Sequence, residues 1–141
     1  MAKPLHQTVI ACDMDRAALD QISLTIIQAA IEIHRNLGPG LLESIYSACM
    51  VYELRERGLV VLTQQIIPVH YKKLVLERAC RIDLLVEDAV IVELKAVETL
   101  LPVHSAQVLS YLRLTKESVG LLINFNVDCL VKGVKRVVNK F

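Results

Sequence analysis

Two strand-like runs, Leu74–Val86 and Ala89–Lys95, meet across Glu87-Asp88, and their register is set by the need to keep one face apolar. Partners whose numbers sum to 176 put Ile82, Leu84 and Val86 opposite Leu94, Val92 and Val90. All six are apolar and share a face. The same register sets Asp83 opposite Glu93, and Arg81 opposite Lys95, on the other face. A slip of one residue would scatter these charges over both faces. A chain with this hairpin carries two carboxylates and a lysine at one end of a largely apolar sheet.

That juxtaposition has two readings. One is an ion-pair cluster on a solvated sheet face. The other is a divalent-metal site. Hard cations such as Mg²⁺ take carboxylate and carbonyl oxygens, usually one or two carboxylates with waters and substrate phosphate. Two adjacent carboxylates repel and resist ionisation unless a cation intervenes. Lys95 lies two residues beyond Glu93 on the same face, placed to orient a water or to stabilise charge developing at phosphorus.

The elements around the hairpin follow from periodicity and punctuation. Leu19, Ile22, Ile26, Ala29, Ala30 and Ile33 recur at helical spacing and predict an amphipathic helix from Asp15 to Leu37. Gly38-Pro39-Gly40 ends it and opens a second helix, Leu41–Arg57, with Gly58 as its stop. A strand, Leu59–Tyr71, leads through Lys72-Lys73 into the hairpin. Pro102 starts a helix to about Thr115, in the first-turn position that proline tolerates. Val119–Phe125 is almost wholly apolar and reads as a central strand. A connection with room for one helical turn leads to a last strand near Lys135–Asn139. The order predicts an α/β domain with a mixed sheet. Residues 15–141 are expected to form one domain, and residues 1–14 a loose tail.

Composition removes several classes. Of the 141 residues 54% are hydrophobic and 22% charged, which excludes disorder and supports a core without disulfides. So apolar a composition raises the expectation of a face buried between copies, as in a homodimer. The longest stretches without formal charge, Gly58–Tyr71 and Thr99–Leu112, have fourteen residues each. A membrane span needs about 20. Val9-Ile10-Ala11-Cys12 resembles a lipoprotein cleavage box, but too few apolar residues precede it for an export signal. Cys12, Cys49, Cys80 and Cys129 stand 37, 31 and 49 residues apart, without a CxxC or Cys/His cluster. Reduced thiols and a cytoplasmic location are expected. The net charge of +1 is no signature of nucleic-acid binding. Its distribution is uneven, with −3 over residues 1–100 and +4 over residues 101–141.

Asp83, followed by Glu93-Leu94-Lys95 at the end of the next strand, resembles the signature of the PD-(D/E)XK nuclease superfamily. Gln107-Val108-Leu109-Ser110-Tyr111 is similar to the QxxxY motif that follows ExK in several of its branches. Gly40-Leu41-Leu42-Glu43-Ser44-Ile45-Tyr46 matches the motif that names the GxxExxY family, a small prokaryotic branch. Residues 33–40, Pro102-Val103-His104 and residues 121–126 also look like that family, and the resemblance runs from Ile22 to Asn139. One departure is Ile82, which stands where a proline would precede the aspartate.

The resemblance implies a restriction-endonuclease-like core, with a mixed sheet flanked by helices. It implies that Asp83 and Glu93 bind Mg²⁺, with Mn²⁺ as a substitute, and that the Leu94 carbonyl adds a ligand. Lys95 would assist the attacking water, and Glu43 would join the metal site from the second helix by holding a water there. Without the family, Glu43 reads as a first-turn acid favoured by the helix dipole. Gln107 and Tyr111 share a helix face with His104 one turn earlier, and would contact a nucleic-acid backbone or buttress the lysine. A plain polar stripe accounts for them equally. His34 and Tyr46 read as structural, His34 serving the carbonyls at its helix end.

Two functions follow. One is a Mg²⁺-dependent nuclease that hydrolyses phosphodiester bonds, of DNA before RNA, through a metal-activated water, with Asp83, Glu93, Lys95 and Gln107 as its catalytic residues. The other is a catalytically silent nuclease-fold module for assembly or nucleic-acid binding. The motif set is intact, which favours the enzyme. The near-neutral charge counts against an unaided grip on long duplex.

Overall fold

In the computed structural model, which describes residues 14–139, the first helix begins where Asp15 caps it. The Asp15 Oδ1 accepts the Ala18 N–H at 2.8 Å and satisfies one of the four open donors of α1, Arg16–Leu37. The helix ends at Gly38, whose positive φ of 69° suits glycine. A second helix, α2, spans Glu43–Glu56. Strands β1 (Val61–Tyr71), β2 (Leu74–Val86) and β3 (Val90–Lys95) follow. Helix α3 (Pro102–Thr115), β4 (Val119–Asn124), a 3₁₀ turn (Leu130–Gly133) and β5 (Val134–Val138) complete the described chain. Every expected element is present, with boundaries within two residues. The 1–14 tail and the Val9–Cys12 box lie outside the described residues, except Met14, which packs against the core.

The sheet order is β1-β2-β3-β4-β5. Strands β3 and β4 run parallel because α3 carries the chain back across the sheet, and the other neighbours are antiparallel. On one face, α1 and α2 bring Ile26, Ala30, Tyr46 and Met50 against Leu84, Val92, Leu94 and Leu121. On the other, α3 brings Val108, Tyr111 and Leu112 against Ile91 and Leu122. That approach is close at Gly120, where a Cβ would meet the Val108 Cγ1 at 2.6 Å. Among the described residues no helix is long and apolar enough to cross a membrane, and Cys49, Cys80 and Cys129 are free thiols.

The hairpin register is the expected one where the ladder forms, with Leu84 opposite Val92 and Val86 opposite Val90. Glu87 and Asp88 both hold φ of 53°, the left-handed backbone that a two-residue hairpin turn needs. Ile82 departs from the expectation. It packs with Ile67, Ile91 and Val108 beneath α3, not with Leu84 on the opposite face. The cause lies at Asp83, where the β2–β3 ladder gives way to side-chain hydrogen bonds. In β1, Gln64 takes φ of 53° at the same level, between the Thr63↔Leu84 and Gln65↔Ile82 pairs. Both strands change phase there, so the register stays and the faces swap. Arg81 accordingly pairs with Ile66 of β1 and is exposed, without the expected ladder position opposite Lys95.

Candidate active site

Residues of α2, β2 and α3 converge near the C-terminal ends of β3 and β4. Glu93 and Lys95 alternate along β3, and the Lys95 carbonyl accepts the Phe125 N–H at 2.9 Å. Asn124, almost fully buried, holds the segment after Lys95. Its Oδ1 accepts the Val97 N–H at 3.0 Å and its Nδ2 donates to the Val97 carbonyl at 2.9 Å. Residue type and position in an apolar strand predict no role for Asn124. The available signal was a polar side chain closing an otherwise apolar strand, which when buried must find partners.

Tyr46 places the start of α2 at the same end. Its ring stacks on Phe125 at 4.4 Å between centroids, and its hydroxyl donates to the Gly38 carbonyl at 2.6 Å. The same oxygen accepts the Leu41 N–H at 3.1 Å. One buried phenol thus ties the Gly38-Pro39-Gly40 turn to the sheet and sets the first residue of α2, Glu43, near the strand ends. His34 is structural, as expected, but through a different partner. Its Nε2 lies 2.8 Å from the Val127 carbonyl, in the loop after β4, in place of a carbonyl of its own helix.

The carboxylates at the centre replace part of the ladder. The Asp83 N–H donates to the Glu93 Oε1 at 3.1 Å, and the Leu94 N–H donates to the Asp83 Oδ2 at 3.0 Å. Each acid is therefore fixed by the other strand's backbone. Burial pushes the Glu93 carboxyl up to about 8, and the negative charge of Asp83 adds to the shift. The Asp83 N–H and the charge of Lys95 pull the other way without overcoming it. Burial disfavours the charged carboxylate, and a second carboxylate beside it adds to that effect.

Glu43, Lys95 and Tyr111 border the pair. The Glu43 carboxyl is raised by partial burial and by Asp83, and lowered by Lys95, which places it within electrostatic reach of both. Tyr111 is raised by burial, then by Glu93, Cys80 and Asp83, and a hydrogen bond from Gln107 lowers it. The predicted i, i+4 pair is thus a real contact, with its tyrosine turned toward the acids. His104 has a local task. Its Nδ1 accepts the Leu101 N–H at 2.9 Å and caps α3, leaving Nε2 for any other contact.

The donor set fits a hard divalent cation of the Mg²⁺ type. One or two carboxylates are the usual protein contribution, and the positive charge of a cation would offset the burial of Glu93 and the repulsion from Asp83. Among the described residues no three His, Cys, Asp or Glu side chains surround one metal position. Glu43 is near the pair without completing a three-ligand cage, so an ion here would keep much of its water. Two hollows of about 360 and 420 Å³ lie elsewhere, one between α1 and α2 at Glu32 and Tyr52, the other beside Arg113 and Lys116.

Comparison with known proteins bears on the fold. No curated protein and no solved structure matches the chain. A family model described as the PD-(D/E)XK nuclease superfamily matches residues 20–137, without singling out the GxxExxY branch. The mixed five-stranded sheet flanked by helices is the α/β restriction-endonuclease-like arrangement expected of it. With most of its length matched, the chain belongs to the PD-(D/E)XK nuclease superfamily.

Proposed function

We propose that this chain is a metal-dependent nuclease of the cytoplasm, hydrolysing phosphodiester bonds of DNA before RNA, with Mg²⁺ as its ion and Mn²⁺ as a substitute. The observation that carries the reading is the pairing of a buried Glu93 with a half-buried Asp83 at the strand ends, an arrangement that a bound cation would relieve. Resemblance to the GxxExxY family supports the same assignment through Gly40, Glu43 and Tyr46.

In this reading Asp83, Glu93 and the Leu94 carbonyl hold the ion. When bound there, the ion would supply Lewis acidity toward the phosphate and would lower the pKa of a water. Lys95 brings a fixed positive charge to the phosphate oxygens and helps align the attacking water. Glu43, which approaches from the second helix, would hold a water at that site. Gln107 is braced by Tyr111 beside the acids, where the pair contacts the backbone of the nucleic acid, and His104 supports them one turn away. A homodimer, bringing two sites to two strands, belongs to the proposal.

Isothermal titration of Mg²⁺ and Mn²⁺ into wild type and Asp83→Asn, beside cleavage of mixed DNA and RNA substrates, tests it. Wild type is expected to bind and cut, and the variant to lose about a hundredfold or more of the cleavage rate while staying folded. A wild type that binds neither ion at millimolar concentration and cuts nothing would leave the module as the correct reading.

A further inference from the structure

Beyond Ile67 and Cys80, which still pack beneath α3, the β1–β2 hairpin leaves the body of the protein. Residues 68–79 are all exposed except Val69, which is half-buried. The pairing of β2 with β3 has already ended at Leu84 and Val92. Folding alone gives no reason for such an extension. A two-stranded ribbon with both faces in water is marginally stable. This one leaves Tyr71, Leu74 and Leu76 at 62%, 54% and 48% exposure.

The ribbon's chemistry is mixed in a specific way. Cross-strand partners share a face, so Val69, Leu76, Tyr71 and Leu74 form one apolar stripe. The stripe ends at the Lys72-Lys73 turn, where the Lys72 Nζ lies 5.3 Å from the centroid of the Tyr71 ring. His70, Arg78 and, at the root, Arg81 add donors or charge, against Glu77 as the one acid between residues 64 and 82. A second copy of the chain fits this surface poorly. Four exposed large side chains, with Val75 on the opposite face from the other three, fall well short of the roughly 800 Å² per partner of a stable interface. Packing on the stripe would also desolvate the two lysines, a residue type depleted from interface cores. Cations beside an exposed aromatic and aliphatic tip do fit phosphates beside unstacked bases.

Position completes the argument. The strand that carries Asp83 also carries one side of the ribbon, and its tip lies about 25–30 Å away at strand rise. That approaches one turn of B-form duplex, about 34 Å. At Pro68 the pairing jumps from Ile67↔Cys80 to Val69↔Leu76, a bulge that bends and twists the ribbon. We propose that residues 68–79 are an arm that grips nucleic acid beyond the cut position, its lysines on phosphates and Tyr71 and Leu74 on unstacked bases, so that branched or partly single-stranded DNA is preferred to continuous duplex. The identity of the ligand rests on the nuclease reading above.

The test uses the full chain in EDTA, so that binding is read without cutting. Fluorescence anisotropy measures affinity for a labelled continuous duplex and a labelled fork of the same length. Wild type should bind the fork about tenfold more tightly, the scale of one stacked base. Lys72→Asn/Lys73→Gln should weaken both complexes and reduce the salt slope by about two. Tyr71→Ala/Leu74→Ala should abolish the preference for the fork. With Mn²⁺ added, both variants should hydrolyse a small phosphodiester, bis(4-nitrophenyl) phosphate, at the wild-type rate. If wild type binds and cuts DNA while neither variant changes affinity, slope or preference, the arm proposal is overturned and the nuclease reading stands. Binding by the arm without cleavage of DNA or the small diester keeps the arm and removes the nuclease. A wild type that binds no DNA overturns the arm. So does a dimer, seen by sedimentation, that Tyr71→Ala/Leu74→Ala splits without changing DNA affinity.

Discussion

The two halves of β2 are written in nearly the same alphabet and meet opposite fates. Leu74-Val75-Leu76 and Leu84-Leu85-Val86 are both runs of three branched aliphatic residues. The first run is exposed throughout, whereas Leu84 and Val86 are completely buried. Their neighbours make the difference. Strand β3 pairs only with residues 84–86, and α1 and α2 cover that stretch. Asp83 stands at the boundary, where the ladder stops and main-chain N–H groups turn to carboxylates. A strand that outlives its partner leaves a pair of carboxylates at the point of departure and an exposed ribbon beyond it.

Alanine substitutions in the two runs give that comparison its widest separation. Leu84→Ala removes a fully buried side chain from the larger cluster and should destabilise the protein by about 2–5 kcal/mol. Leu74→Ala should change stability by no more than about 0.5 kcal/mol. Urea denaturation of each variant measures both. Comparable losses would mean that the arm is packed against something in solution, and the contrast between the halves would collapse.

The same boundary separates what the sequence made legible from what it hid. The register around Glu87-Asp88 could be read because a one-residue slip exposes apolar side chains and buries charges. That register brings Asp83, Glu93 and Lys95 to one end of the hairpin from sequence alone. Alternation predicts the wrong face for Ile82 because it assumes an uninterrupted pleat, and a left-handed Gln64 is not written in the residue's type. The arm was hidden for a related reason. Periodicity shows that residues 74–79 can be strand, but not whether a third strand will lie beside them. Glu43 and Tyr46 were visible only as parts of a motif, since their approach depends on long-range stacking against Phe125.

At the site end of β2, pH should reveal the acid pair. The Glu93 carboxyl is raised from 4.5 to about 8 in the folded protein, so between those values the folded state binds more protons than the unfolded one. Without metal, stability should be greatest below about pH 4.5 as far as this group is concerned, and should be lost as pH rises towards 8. The change is on the order of 2 kcal/mol after allowance for relaxation around the pair. Glu93→Gln should flatten the profile measured by urea denaturation in EDTA. Excess Mg²⁺ should restore the wild type at pH 8 and leave the variant unchanged. A wild-type profile that rises over this interval would mean that the pair is relieved by the protein itself, and the case for a cation would lose its electrostatic basis.

A smaller effect asks whether the site end is held from outside the sheet. Tyr46→Phe keeps the stack on Phe125 but removes the hydroxyl shared by Gly38 and Leu41. The expected cost is about 1–2 kcal/mol, the value of hydrogen bonds whose partners are partly left to water. A phenol that only packs would lower the melting temperature and leave turnover alone. A phenol that positions Glu43 would lower kcat several-fold as well, with KM little changed. Combining Tyr46→Phe with Glu43→Gln separates the two, because residues acting through one another are non-additive. If Tyr46→Phe slows the wild type but has no further effect on Glu43→Gln, the phenol acts through the carboxylate. Additive losses would instead confine Tyr46 to the core, and Glu43 would be held by its helix alone.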